Sequence, residues 1–119
     1  MLDHVSIGVR DLAASRRFYD AALAPLGYAC LFSGDESLGY GRDSPVFWVS
    51  VSDNPVPDDP RSGLHFCLSA PTRASVDAFH AAALAAAGRE NGRPGLRPDY
   101  GPDYYAAFVV DPDARRFHV

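Results

Sequence analysis

The sequence predicts an α+β fold of two βαβββ modules, about residues 1–53 and 63–119, whose sheets curl around a shared cleft. Three observations lead there. Displacing the chain against itself by 61 places sets His4 on His65, Phe18 on Phe79, Leu23 on Leu84 and Gly27 on Gly88 without a gap. Each copy opens with an alternating run, Leu2–Val9 and Leu64–Ala70, at the period of a half-buried strand. Each run then gives way to apolar residues at helical spacing. Two copies of so long a unit favour a pseudo-twofold pair of sheets over an open solenoid.

In the first module Asp11 is placed to cap a helix carrying Leu12, Tyr19, Leu23 and Leu26, with Pro25 and Gly27 near its end. Strand-like segments follow at Tyr28–Phe32, Leu38–Gly41 and Val46–Val51. The proline- and acid-rich stretch Asn54–Ser62 reads as the linker between modules. In the second module Pro71 and Thr72 begin a helix with Val76, Phe79, Ala83 and Ala87 on one face, and Gly88 ends it. Arg89–Pro102 reads mostly as loop around one irregular strand, followed by strands Tyr104–Val110 and Arg115–Val119.

Strand alternation separates a helix-covered face from a cleft face. Val5, Ile7 and Val9 belong under the helix, which turns His4, Ser6 and Gly8 to the cleft. Phe66, Leu68 and Ala70 are their counterparts, which turns His65, Cys67 and Ser69 the same way. In the last strand Phe117 and Val119 form the apolar face and leave Arg116 and His118 on the other. Aligning Asp113–His118 with Asp43–Trp48 matches Phe117 to Phe47 and His118 to Trp48, with Ser50 and Ser52 on the tryptophan's face. Three histidines, His4, His65 and His118, therefore converge as candidate ligands of a divalent metal. The plainer reading of His118 is a solvated strand end, and that of His80, aligned with Tyr19, is packing.

Composition narrows the partners. The formal net charge is −4 and all 11 basic residues are arginine, with no basic stripe for a phosphate backbone, so no nucleic acid is expected. The opening lacks a signal-peptide pattern and no apolar run reaches membrane-spanning length, so a cytoplasmic protein without a membrane partner is expected. Two cysteines, Cys30 and Cys67, read as buried reduced thiols, with a catalytic thiol as the second reading.

The opening DHVSIGVRDLAASRRFYDAALAPLGY, the Phe47-Trp48 pair, the unit GLHFCLSAPTRASVDAFHAAALAAAG and the closing YYAAFVVDPDARRF together resemble the vicinal oxygen chelate superfamily, in its glyoxalase, bleomycin-resistance and dioxygenase group. The resemblance covers nearly the whole chain and implies paired βαβββ modules in a half-open barrel. It implies a divalent metal, zinc, iron, nickel, cobalt or manganese, held by first-strand histidines, which His4 and His65 match by position. His118 occupies the place of a final-strand glutamate ligand, and the first-module counterpart falls near Trp48. Neither final strand contains a glutamate; Glu36 and Glu90 both read as loop residues. Glyoxalase I chemistry, which needs a carboxylate base beside the metal, is therefore a poor match.

If a metal binds, it would act as a Lewis acid on chelating substrate oxygens. Asp103 is then the candidate base and Tyr105 a candidate catalytic hydroxyl. Trp48, Ser50, Tyr40, Tyr104 and Phe108 are the candidate substrate-binding residues. The competing reading is a metal-free module that sequesters a planar or cationic small molecule in an aromatic groove. Open sheet edges, and the resemblance, imply a homodimer.

Overall fold

Asp11 turns the chain from strand to helix: its carboxylate accepts a hydrogen bond from the Ala14 amide at 3.0 Å, satisfying one of the free donors of the first turn. The computed structural model describes residues 1–57 and 59–119. The first module contains β1 (Val5–Val9), α1 (Leu12–Leu23), a 3-10 turn at Ala24–Leu26, β2 (Ala29–Ser33), β3 (Ser37–Gly41) and β4 (Pro45–Val51). The second contains β5 (Phe66–Cys67), α2 (Arg73–Ala85), β6 (Arg89–Leu96), β7 (Tyr105–Val110) and β8 (Arg116–His118). The Thr72 hydroxyl caps α2 by accepting from Ser75 N at 3.1 Å.

The modules repeat one topology. The sheets run β1-β4-β3-β2 and β5-β8-β7-β6; in each the first pair is parallel and the others are antiparallel. They remain two separate four-stranded mixed sheets, not closed into one barrel. Helices α1 and α2 pack on one another, so one core serves both modules. At its centre the two phenylalanines paired by the repeat meet: Phe47 and Phe117 lie 5.9 Å apart, edge to face, with Tyr19 against both.

Several boundaries differ from expectation. β1 begins at Val5, because the first ladder pair is Val5–Phe47 and the preceding His4 ring bonds Asp3. β5 is two residues, Phe66 and Cys67, bounded by the left-handed Gly63 turn on one side and by Pro71 on the other. The Arg89–Pro102 stretch holds an eight-residue strand, broken by irregularities around Gly92, and it places Glu90 in β6 and not in a loop. There Glu90 accepts from the His80 ring at 3.0 Å, which fits the packing reading of His80. Ala87 is exposed and adopts φ 73°, so it ends the helical face it was expected to extend. Gly88 lets the chain pass close to both helices, since a Cβ there would lie 2.6 Å from the Ala83 carbonyl and 2.8 Å from the Phe18 ring.

Candidate functional site

Each sheet buries one face under the helices and leaves the other open. On the first sheet Ile7, Val9, Leu38, Tyr40, Phe47 and Val49 are buried. Its open face carries Trp48 and Phe32, whose rings sit 5.5 Å apart. A bulge between Cys30 and Phe32 changes the alternation of β2 and brings Phe32 opposite Gly39, where a side chain would collide with the indole at 3.0 Å. Ser50, half-buried, pairs with Gly8 and Ser37 beside this aromatic pair.

The open face of the second sheet carries a denser group. Cys67 pairs with His118, and Phe108 pairs with His118 from the other side. The His118 ring stacks on Phe108 at 4.6 Å and lies 5.1 Å from the His65 ring. The Tyr104 hydroxyl lies 3.4 Å from His118 Nε2 and 3.7 Å from Cys67 Sγ. One proton order satisfies all three: Cys67 donates to Tyr104 and Tyr104 donates to a neutral His118. His65 Nδ1–H donates to the Gly63 carbonyl at 3.1 Å, which leaves Nε2 with its lone pair. A cavity of about 180 Å³ opens over this group, lined by His65, Asn91, Tyr100, Phe108, Arg116 and His118, with Phe117 beneath.

Burial first, and the neighbouring His65 second, hold His118 below the usual imidazole range. The Cys67 contact, then partial burial, raise the Tyr104 hydroxyl above its usual range, so it remains a protonated donor. A histidine whose folded-state proton affinity is depressed stabilises the fold above its unfolded pKa, and that stability is lost as pH falls. Thermal unfolding is therefore expected to show Tm declining as pH drops below about 6.5, and His118→Phe, which keeps a ring against Phe108, is expected to flatten that decline.

The predicted site residues do not share one place. His65, His118, Tyr104 and Phe108 come together. Trp48 and Ser50 lie on the other sheet, and His4, exposed ahead of β1, donates its Nδ1–H to Asp3 at 2.7 Å. Among the described residues no three His, Cys, Asp or Glu side chains are placed to hold a metal ion, so one chain does not gather His4 with the other two histidines. Tyr40 and Tyr105 face the helices, away from the cleft. Tyr40 is buried and donates to Asp20 on α1 at 2.9 Å; Tyr105 donates to Asp77 on α2 at 2.7 Å, under the Arg73 guanidinium. Asp103 is exposed in the turn before β7 and lines a second hollow with Tyr104, Tyr105, Cys67, Thr72 and Arg73. Cys67 itself is exposed, against the expectation of a buried thiol. Asn91 and Arg97 were not anticipated: neither carries a motif, and both reach the face only through the irregular course of β6.

Comparison with known proteins agrees with this architecture. A family model described as the Glyoxalase/Bleomycin resistance protein/Dioxygenase superfamily matches residues 1–118. A crystal structure of a glyoxalase/bleomycin resistance protein from Albidiferax ferrireducens T118 is 30% identical, with a TM-score of 0.86 over 99% of this chain and 96% of that one. A glyoxalase-related enzyme from Fulvimarina pelagi is 21% identical, with a TM-score of 0.76 over 99% and 85% of the two chains. A genomically encoded fosfomycin resistance protein from Listeria monocytogenes is 14% identical, with a TM-score of 0.72 over 99% and 89%. The last two speak to the fold alone. No curated protein matches the chain. No helix among the described residues is long and apolar enough to cross a membrane.

Proposed function

The chain belongs to the Glyoxalase/Bleomycin resistance protein/Dioxygenase superfamily, and from that membership we propose that it binds a small planar molecule on the open face of its second sheet. The observation that carries the reading is the row of Phe108, His118 and His65 rings beneath a cavity of about 180 Å³. That volume suits a single ring, since an apolar cavity of about 150 Å³ accommodates benzene. Tyr100, Asn91 and the two imidazoles supply the few polar groups that fix a ligand's orientation.

A resident metal does not fit the residues of one chain. His65 offers a free Nε2, but His118 Nε2 already faces the Tyr104 hydroxyl, and no carboxylate or third imidazole joins them among the described residues. The second reading, a metal-dependent enzyme, is favoured by the 5.1 Å separation of the two histidine rings. It requires a further donor from outside this set. A second copy could bring one, and the exposed Phe32, Leu31 and Val46 on the first sheet support a homodimer. The free thiols of Cys30 and Cys67 support the cytoplasm as its place of action.

Binding is tested by following the ring resonances of His65 and His118 in NMR titrations with single-ring compounds. Phe108→Ala is expected to weaken binding by about tenfold, the value of one aromatic contact. Titrations that leave both rings unmoved would sink the reading. Metal content of untagged protein is expected to be negligible; near-stoichiometric metal that disappears in His65→Ala would replace the first reading with the second.

A further inference from the structure

The open face of the second sheet differs in charge from the chain as a whole. The protein carries a net charge of −4, yet among the described residues the cavity is lined by two imidazoles, an amide, a tyrosine and the Arg116 guanidinium, with no carboxylate. Arg116 donates to the Pro60 carbonyl at 2.9 Å and forms no ion pair among the described residues. Asp59, on which Arg116 acts, is held by the Arg61 guanidinium at 3.0 and 3.3 Å. A second guanidinium, that of Arg97, lies 5.2 Å from the centre of the Phe108 ring.

The rings form a ladder. Arg97, Phe108, His118 and His65 stand at successive separations of 5.2, 4.6 and 5.1 Å, one from each neighbouring strand or its flank. These spacings are close to the ~4.8 Å between strands, so the stacking axis runs across the sheet and the ring planes stand upright on it. Their rims, not their faces, meet the cavity. An aromatic rim is the positive part of the ring's quadrupole, and an imidazole rim adds an N–H donor. A ligand lying over the ladder therefore meets positive rims, an amide and a guanidinium. A cation would be repelled by the guanidinium groups described on this face.

We propose that the cavity selects a planar organic anion of the aromatic carboxylate kind, its charged end at Arg116 and its ring face across the rims of Phe108, His118 and His65. The proposal rests on this cavity being the ligand site and adds the sign of the ligand's charge. It keeps the planar ligand expected from the sequence and replaces the cationic one by an anion, because the face holds no acid among the described residues.

Benzoate, benzamide and benzamidine form a matched test, because they share one ring and one size and differ in charge from −1 through 0 to +1. Each is titrated into the full chain while the His65 and His118 ring resonances are followed. Benzoate is expected to bind about tenfold or more tightly than benzamide, the worth of one charge-assisted contact, and benzamidine more weakly than either. Arg116→Gln is expected to abolish the preference, bringing benzoate to the affinity of benzamide or below when both are measured on that variant. Equal shifts from benzamidine or benzamide would overturn the charge selection and leave the site intact. A benzoate preference that survives in Arg116→Gln would overturn the role of that guanidinium. No shift from any of the three would overturn the site itself, and the selection with it.

Discussion

Asp111→Ala is expected to cost about 3–5 kcal/mol of folding stability, the range for removing one partner of a buried charged pair. Asp111 is 1% exposed and stands at the end of β7, where four groups depend on it. Its Oδ2 accepts from the Tyr19 hydroxyl at 2.5 Å, and its Oδ1 accepts from the Asp113 and Arg115 amides at 2.9 and 2.7 Å. The Arg115 guanidinium lies 3.6 Å away and also donates to the Gly8 carbonyl on β1. The network thus joins α1 and β1 of the first module to the β7–β8 turn of the second. Burial raises the carboxyl above its usual range, while Tyr19, the turn amides and Arg115 pull it down. Deleting the carboxylate removes the acceptor of the Tyr19 hydroxyl and of two turn amides, and leaves the buried Arg115 guanidinium with Asp113 at 3.4 Å and the Gly8 carbonyl. Urea denaturation measures the cost. A loss under about 1 kcal/mol, the worth of an exposed pair, would show that the modules do not depend on this joint.

Much of the fold was legible because its signals are local. Asp11 and Thr72 sit where capping chemistry requires them, and period-two alternation correctly sorted Val9 from Gly8 and Phe117 from His118. The repeat carried further than the elements, since it paired Phe47 with Phe117, which then meet in the core. Tyr40 and Tyr105 could have been placed by the same alternation: each shares a strand face with a buried residue, Leu38 in one case and Val109 in the other. Other features have no local signal. The bulge that brings Phe32 beside Trp48 depends on the course of β2, and Asp111 finds Tyr19 at a separation of 92 residues. Alternation assigns faces within a strand, whereas His4 stands ahead of β1 and its distance from His65 belongs to the packing of two modules.

Phe117→Ala is expected to cost a further large increment, about 3–5 kcal/mol, the range for deleting a buried phenylalanine. Phe117 is 2% exposed and is the one ring that touches both halves of the core from β8. It stacks on Phe66 at 5.2 Å and meets Phe47 and Tyr19 edge to face at 5.9 and 5.7 Å. Neither module can close over the space left, because the rings around it come from β4, β5 and α1 and are each fixed by other partners. The substitution should also act on the proposed site. Phe117 pairs with Phe66 in the register that sets His118 beside Cys67, so loosening it should weaken the His118–Phe108 stack. Phe117→Leu separates the two consequences. It refills most of the volume, and is expected to recover at least half of the lost stability while leaving the His118 resonance closer to its native position than Phe117→Ala does. A Phe117→Ala variant as stable as the native chain would contradict a single core shared by the two modules, and with it the physical meaning of the repeat.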